Sequence, residues 1–164
     1  MTTLFSLANK VCVMTGGARG LGNVMLRGLI EAGATQAVIL DLREDDAAAA
    51  AAELATDYPG IEAEGYAVDV AVESSVVAAF DRIKNRFGRV DVLVTSAGIC
   101  ENFPAEGYPA ARMQMLMDIN VNGSWFCAVE AYKLMLGGGS IIMIGSMSGS
   151  VSYRLGSRSR SRWS

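Results

Sequence analysis

The sequence predicts a doubly wound α/β fold on a parallel sheet, incomplete at about five strands in the order 3-2-1-4-5. Three observations carry this. Short runs of apolar residues recur without polar alternation, as strands buried on both faces require. Segments with helical spacing separate them, so each strand returns to the sheet through a crossover. A glycine-rich loop, Thr15-Gly-Gly-Ala-Arg-Gly-Leu-Gly22, joins the first run to the first helical segment.

The elements follow in order. Lys10 to Met14 is an apolar strand that ends in the glycine loop, and Leu21 to Ala32 has helical spacing before Gly33 stops it. Gln36 to Leu40 is a second strand ending at Asp41. Glu44 to Tyr58 is an alanine-rich scaffold helix, its run Ala47 to Ala52 carrying high helix propensity. Glu62 to Val68 alternates weakly and ends at Asp69, and Ser74 to Phe87 is helical, with Ile83 and Phe87 four apart. Val90 to Val94 is a nearly wholly apolar strand leading to Thr95-Ser-Ala-Gly98. A long helical stretch runs from about Ala110 to Leu136, and Ser140 to Ile144 is the fifth strand, leading to Gly145-Ser-Met-Ser-Gly149.

Composition narrows the class. A chain of 164 residues that is 51% hydrophobic with three prolines suits one compact domain, and disorder along its whole length is excluded. Charges interrupt every apolar run, and the N-terminus lacks a signal peptide's basic start and apolar middle. A cytoplasmic protein without membrane association is expected. Cys12, Cys100 and Cys127 are widely spaced and the chain has no His, so buried thiols are expected rather than a metal site or disulfide framework. Of the 14 Lys and Arg, four lie after Gly149, leaving ten against 17 acids and a net charge of −7 for residues 1–149. An acidic body of this kind lacks the basic face of a nucleic-acid-binding domain. Domain organisation is therefore read as a dinucleotide-binding body, 1–149, and a Ser/Arg-rich tail, 150–164, expected to be disordered.

The glycine loop brings backbone amides close to a pyrophosphate while the helix N-terminus adds partial positive charge. Gly16, Gly20 and Gly22 occupy it, and Asp41 ends the next strand nineteen residues after Gly22. A carboxylate there accepts hydrogen bonds from an adenosine ribose diol and repels a 2′-phosphate by about 4 kcal/mol per unit charge at ~4 Å in a dielectric of ~20. NAD is favoured. Arg19 and Arg43 lie close enough in sequence to pair with a phosphate, which leaves NADP open, and Asp41 also reads as an ordinary turn residue at a strand end.

These motifs resemble the short-chain dehydrogenase/reductase family over about nine-tenths of the chain. Its Thr-Gly-x-x-x-Gly-x-Gly motif corresponds to Thr15, Gly16, Gly20 and Gly22. Asp69-Val70 is similar to the Asp-Val whose Asp contacts the adenine ring. Asp91-Val-Leu-Val-Thr-Ser-Ala-Gly98 resembles Asp-x-Leu-Val-Asn-Asn-Ala-Gly, with Thr95-Ser96 in place of Asn-Asn. Asn120-Val-Asn-Gly123 resembles Asn-x-x-Gly, whose Asn bends the helix and holds a relay water on its backbone carbonyl. The fifth strand and its loop place the catalytic serine at Ser146. The resemblance implies a Rossmann-type sheet and a cofactor site of Thr15, Gly16, Arg19, Gly20, Leu21, Gly22, Asp41, Leu42, Asp69, Val70, Ser96, Ala97 and Gly98. It also implies reversible hydride transfer between nicotinamide and a small alcohol or ketone. Likeness to polyol and sugar-alcohol members centres on Ser96 to Pro104 and Asp118 to Gly123.

The family reaction needs a tyrosine general acid/base and a lysine four residues later that lowers its pKa. Tyr153 is the only tyrosine after Ser146, and Ser157 stands where the lysine belongs. Little activity is therefore expected from this polypeptide alone, and a non-catalytic dinucleotide-binding module or interaction protein is the alternative. The resemblance implies further strands that residues 150–164 cannot supply, so the fifth strand is expected to be a bare edge open to self-association or aggregation. The Ser-Arg alternation from Ser157 to Arg162 reads either as a frameshift, intron read-through or misassigned gene end, or as a phosphorylatable interaction tail.

Overall fold

A computed structural model describes residues 6–101 and 103–146. The tail assigned to 150–164 lies outside the described residues. The five strands are β1 (Val11–Thr15), β2 (Gln36–Asp41), β3 (Glu62–Ala67), β4 (Val92–Thr95) and β5 (Ser140–Met143). They form one sheet in the order β3-β2-β1-β4-β5, with every neighbouring pair parallel. The crossovers contain α1 (Gly20–Glu31), α2 (Glu44–Asp57), α3 (Glu73–Phe87), α4 (Ala110–Met117) and α5 (Gly123–Leu134). Fold class and strand order are those the apolar runs predict.

Side chains on a strand point alternately to opposite faces, and this splits the apolar runs between two cores. Val11, Val13, Val38, Leu40 and Leu93 pack with Val76, Phe80 and Ile83 of α3 and Cys127, Ala131 and Leu134 of α5. Cys12, Met14, Ala37, Ile39, Val92 and Val94 pack on the other face with Leu26 and Ile30 of α1 and Ala47 and Leu54 of α2. Each fully buried Val, Leu or Ile contributes about 1.5–3 kcal/mol, so these two layers hold the strand ends that build the site.

Two expectations need correction. The helical stretch read from Ala110 to Leu136 is interrupted: Asp118–Asn122 forms a π-turn between α4 and α5, and α5 stops at Leu134. Helical spacing in the sequence is too coarse to register one extra residue in a turn. Cys12 and Cys127 are buried as expected, but Cys100 is exposed, because it lies in the loop after β4 rather than on an element facing a core. The fifth strand is exposed, as expected of an edge: all four residues of β5 are exposed even though Ser140, Ile141, Ile142 and Met143 register against β4.

Two further absences hold among the described residues. No helix is long and apolar enough to cross a membrane. No group of three or more His, Cys, Asp or Glu is placed to hold a metal ion.

Candidate functional site

The C-terminal ends of all five strands open on one cleft of about 380 Å³. In an open parallel sheet this is the crevice where ligands bind, at the point where successive strands depart to opposite sides. Here that point lies between β1 and β4. The lining comes from the glycine loop (Gly16, Arg19, Leu21, Gly22), the end of β2 (Leu40, Asp41, Leu42), the segment after β3 (Val68, Asp69, Val70) and the loop after β4 (Ser96, Ala97, Gly98, Ile99). Ile119 and Ile144 complete it.

Local geometry explains the glycines. Gly16 and Gly20 have φ of +62° and +57°, a region that disfavours side chains. A Cβ on Gly16 would come within 2.9 Å of the Ala97 backbone, and one on Gly22 would collide with the Gly16 carbonyl oxygen. The loop is thus folded tightly between β4 and the first turn of α1. No side chain caps α1 and no acid lies in its first turn, whereas α2 begins with Glu44, Asp45 and Asp46. The positive end of the α1 dipole is left for a ligand, and Leu21 and Gly22 of that first turn face the cleft.

Asp41 is tied into the same loop. Its Oδ2 accepts from the Ala18 amide at 3.1 Å and its Oδ1 from the Leu42 amide at 2.9 Å. Each bond uses one lone pair, so the carboxylate keeps acceptor capacity toward the cleft. Asp69 is similar: its Oδ1 accepts from the Ala71 amide at 3.0 Å. The two arginines weighed for a 2′-phosphate separate. Arg43 pairs with Asp46 at 3.3 Å, while Arg19 lines the cleft.

Of the thirteen residues assigned to a cofactor, eleven line the cleft, and Thr15 and Gly20 do not. Thr15 is buried, and its hydroxyl oxygen accepts from the Ser96 and Ala97 amides, both at 3.1 Å. It holds the β4 loop that lines the cleft. Gly20 serves the backbone of the loop.

Asn120 and Ser146, the two catalytic assignments, lie outside the lining set. The Asn120 side chain makes a paired contact with the backbone of Ile99: Oδ1 accepts from its amide at 2.9 Å and Nδ2 donates to its carbonyl at 2.8 Å. Its own carbonyl accepts from the Ser124 hydroxyl at 3.0 Å. Ser146 follows β5 and is exposed.

Sequence reasoning missed Leu40, Val68, Ile99, Ile119 and Ile144, apolar residues that wall the cleft. The signal available for all five was proximity to motif residues, Ile119 standing beside Asn120 and Ile144 two residues before Ser146. Burial pushes the thiols of Cys12 and Cys127 up to about 12, with Asp91 adding to the effect at Cys12. Both stay neutral and supply no nucleophile.

Comparison with known proteins shows the family and the fold. The short chain dehydrogenase family pattern matches residues 10–158. The D-threitol dehydrogenase of Mycolicibacterium smegmatis is 36% identical over 149 residues, covering 90% of this chain and 56% of that one. Among solved structures, a gluconate 5-dehydrogenase from Burkholderia cenocepacia in complex with NADP and tartrate matches with a TM-score of 0.85 and 34% identity, over 91% of this chain and 58% of that one. An NAD+-bound xylitol dehydrogenase matches with a TM-score of 0.82 and 28% identity, over 92% and 57%. The chain spans a little over half the length of the relatives it matches.

Proposed function

This chain belongs to the short chain dehydrogenase family, and from that premise we propose that it binds NAD in the cleft described above. The observation that carries the reading is the uncapped N-terminus of α1, opening on a cleft that Asp41 also lines, its carboxylate tied to the glycine loop through the Ala18 amide. The first-turn amides of α1 are suited to a pyrophosphate. The free acceptor capacity of Asp41 suits a ribose diol, and Asp69 and Val70 suit an adenine edge. Ile99, Ile119 and Ile144 supply apolar walls that keep water from the remaining ring. NAD is preferred over NADP because the Asp41 charge stands where a 2′-phosphate would approach, and Arg43 is held by Asp46.

When bound, the dinucleotide supplies hydride acceptor and donor chemistry. The substrate class we assign is a polyol or sugar alcohol, supported by relatives that act on D-threitol, gluconate and xylitol by name. In that scheme Ser146 holds the substrate oxygen and Asn120 fixes the loop beside it. The acid/base step has no matching residues in this sequence, since Ser157 stands four positions after Tyr153. We therefore assign this polypeptide dinucleotide binding without turnover.

The test is a fluorescence titration with NADH together with an assay of NAD reduction by xylitol and D-threitol. Saturable binding with no reduction is the expected result. Absence of saturable NADH binding would overturn the whole reading. Alcohol-dependent reduction that disappears in Ser146→Ala would overturn the claim that turnover is missing.

A further inference from the structure

The π-turn at Asp118–Asn122 joins three parts of the cleft wall. Ile119 lies within it, and Asn120 grips Ile99 by both backbone groups. Gly123, which closes the turn, is pressed against cleft-lining Val70, where a Cβ would stand 2.9 Å from the valine side chain. The register here differs from the flanking helices. The Gly123 amide donates to the Asp118 carbonyl, five residues back instead of four. Such turns are rare, and something must favour this one over a continuous α-helix.

We infer that Ser124 is the positioning residue that holds the π-turn and, through Asn120, sets the Ile99–Ile119 wall of the dinucleotide cleft. In α-register the Asn120 carbonyl is the acceptor for the Ser124 amide. In this turn the Ser124 hydroxyl reaches that carbonyl, at 3.0 Å. A hydroxyl that bonds back to the carbonyl four residues earlier is known to distort a helix, so the side chain stabilises the same distortion that the turn requires. The carbonyl is thereby supplied with a donor while the Asn120 side chain is turned out to Ile99. Alanine at 124 removes that donor; threonine keeps it.

This inference rests on the dinucleotide reading only for its consequence, so two readouts are paired. The first is amide hydrogen exchange at Ile99, compared with Val13 and Leu93 in the core. Ser124→Ala should speed exchange at Ile99 about fivefold, the equivalent of about 1 kcal/mol for one hydrogen bond, while the core amides stay at their wild-type rates. Ser124→Thr should restore the wild-type rate. The second readout is NADH affinity, expected to fall about threefold to tenfold in Ser124→Ala and to recover in Ser124→Thr. Unchanged exchange at Ile99, or equal acceleration at all three amides, would overturn the assignment of Ser124. If wild-type protein failed to bind NADH while Ile99 exchange still responded as stated, the positioning role would stand and the dinucleotide reading would fall.

Discussion

Asp41 shows how much one side chain carries in this site. It pins the glycine loop through Ala18, steadies the turn through Leu42, and keeps acceptor capacity toward the cleft. Exchanging it for asparagine keeps size and shape but removes the charge. Hydrogen bonds to charged groups are worth about 1.5–3 kcal/mol, so Asp41→Asn should weaken NADH binding by about tenfold or more. It should also narrow the preference for NADH over NADPH, because the repulsion of a 2′-phosphate disappears. Parallel titrations with both dinucleotides check this; an unchanged ratio of affinities would remove Asp41 from the specificity argument. The type and position of this residue were legible from the strand end it follows. The role of Thr15 was not: its hydroxyl is spent on two amides of a loop some eighty residues away, a pairing that local sequence cannot disclose.

Among the elements, β5 differs most from its neighbours. Ile141, Ile142, Met143 and Ile144 are 37–52% exposed, on a strand that registers with β4 along one side. No charge or proline occurs from Leu134 to Tyr153, so the edge lacks the residues that usually block strand pairing. Ile142→Lys should therefore raise the fraction of soluble monomer at high concentration with little loss of stability, since the lysine would extend into solvent. Sedimentation of both proteins across a concentration series measures this, and identical association would show that β5 is not the contact. The strand was legible as an apolar run, and its exposure as a bare edge was expected. A bend at Asn120 was implied by the resemblance, but its π-register was not legible, because two of the groups packed against it, Val70 and Ile99, come from other elements.

At the scale of the whole molecule, Asp91 holds the base of the sheet. It is 3% exposed, accepts from the Val11 amide at 3.0 Å and from Lys10 Nζ at 3.1 Å, and pairs with Arg89. Burial alone would raise its pKa, but the Val11 amide with Arg89 and Lys10 outweighs this and holds the carboxyl below the ordinary Asp range. A depressed folded pKa contributes stability above the unfolded value and loses it as pH falls through the folded one. Asp91→Asn should accordingly cost about 2 kcal/mol near neutral pH, and the gap from wild type should close only in strong acid. Urea unfolding of both proteins across pH checks the sign; a gap that widened on acidification would contradict it. Asp91 stood in the sequence only as the first letter of a motif, since nothing local shows that β1 begins against it. The sequence by itself determined the strands, their order, the glycine loop and the acids at the ends of β2 and β3, because these depend on periodicity and short-range backbone needs. The tertiary structure alone decided which groups serve the cleft and which support it. Thr15, Asp91 and Asn120 take their roles from partners that only the packed sheet brings within hydrogen-bonding distance, whereas Ser124 acts on the turn within its own helical segment.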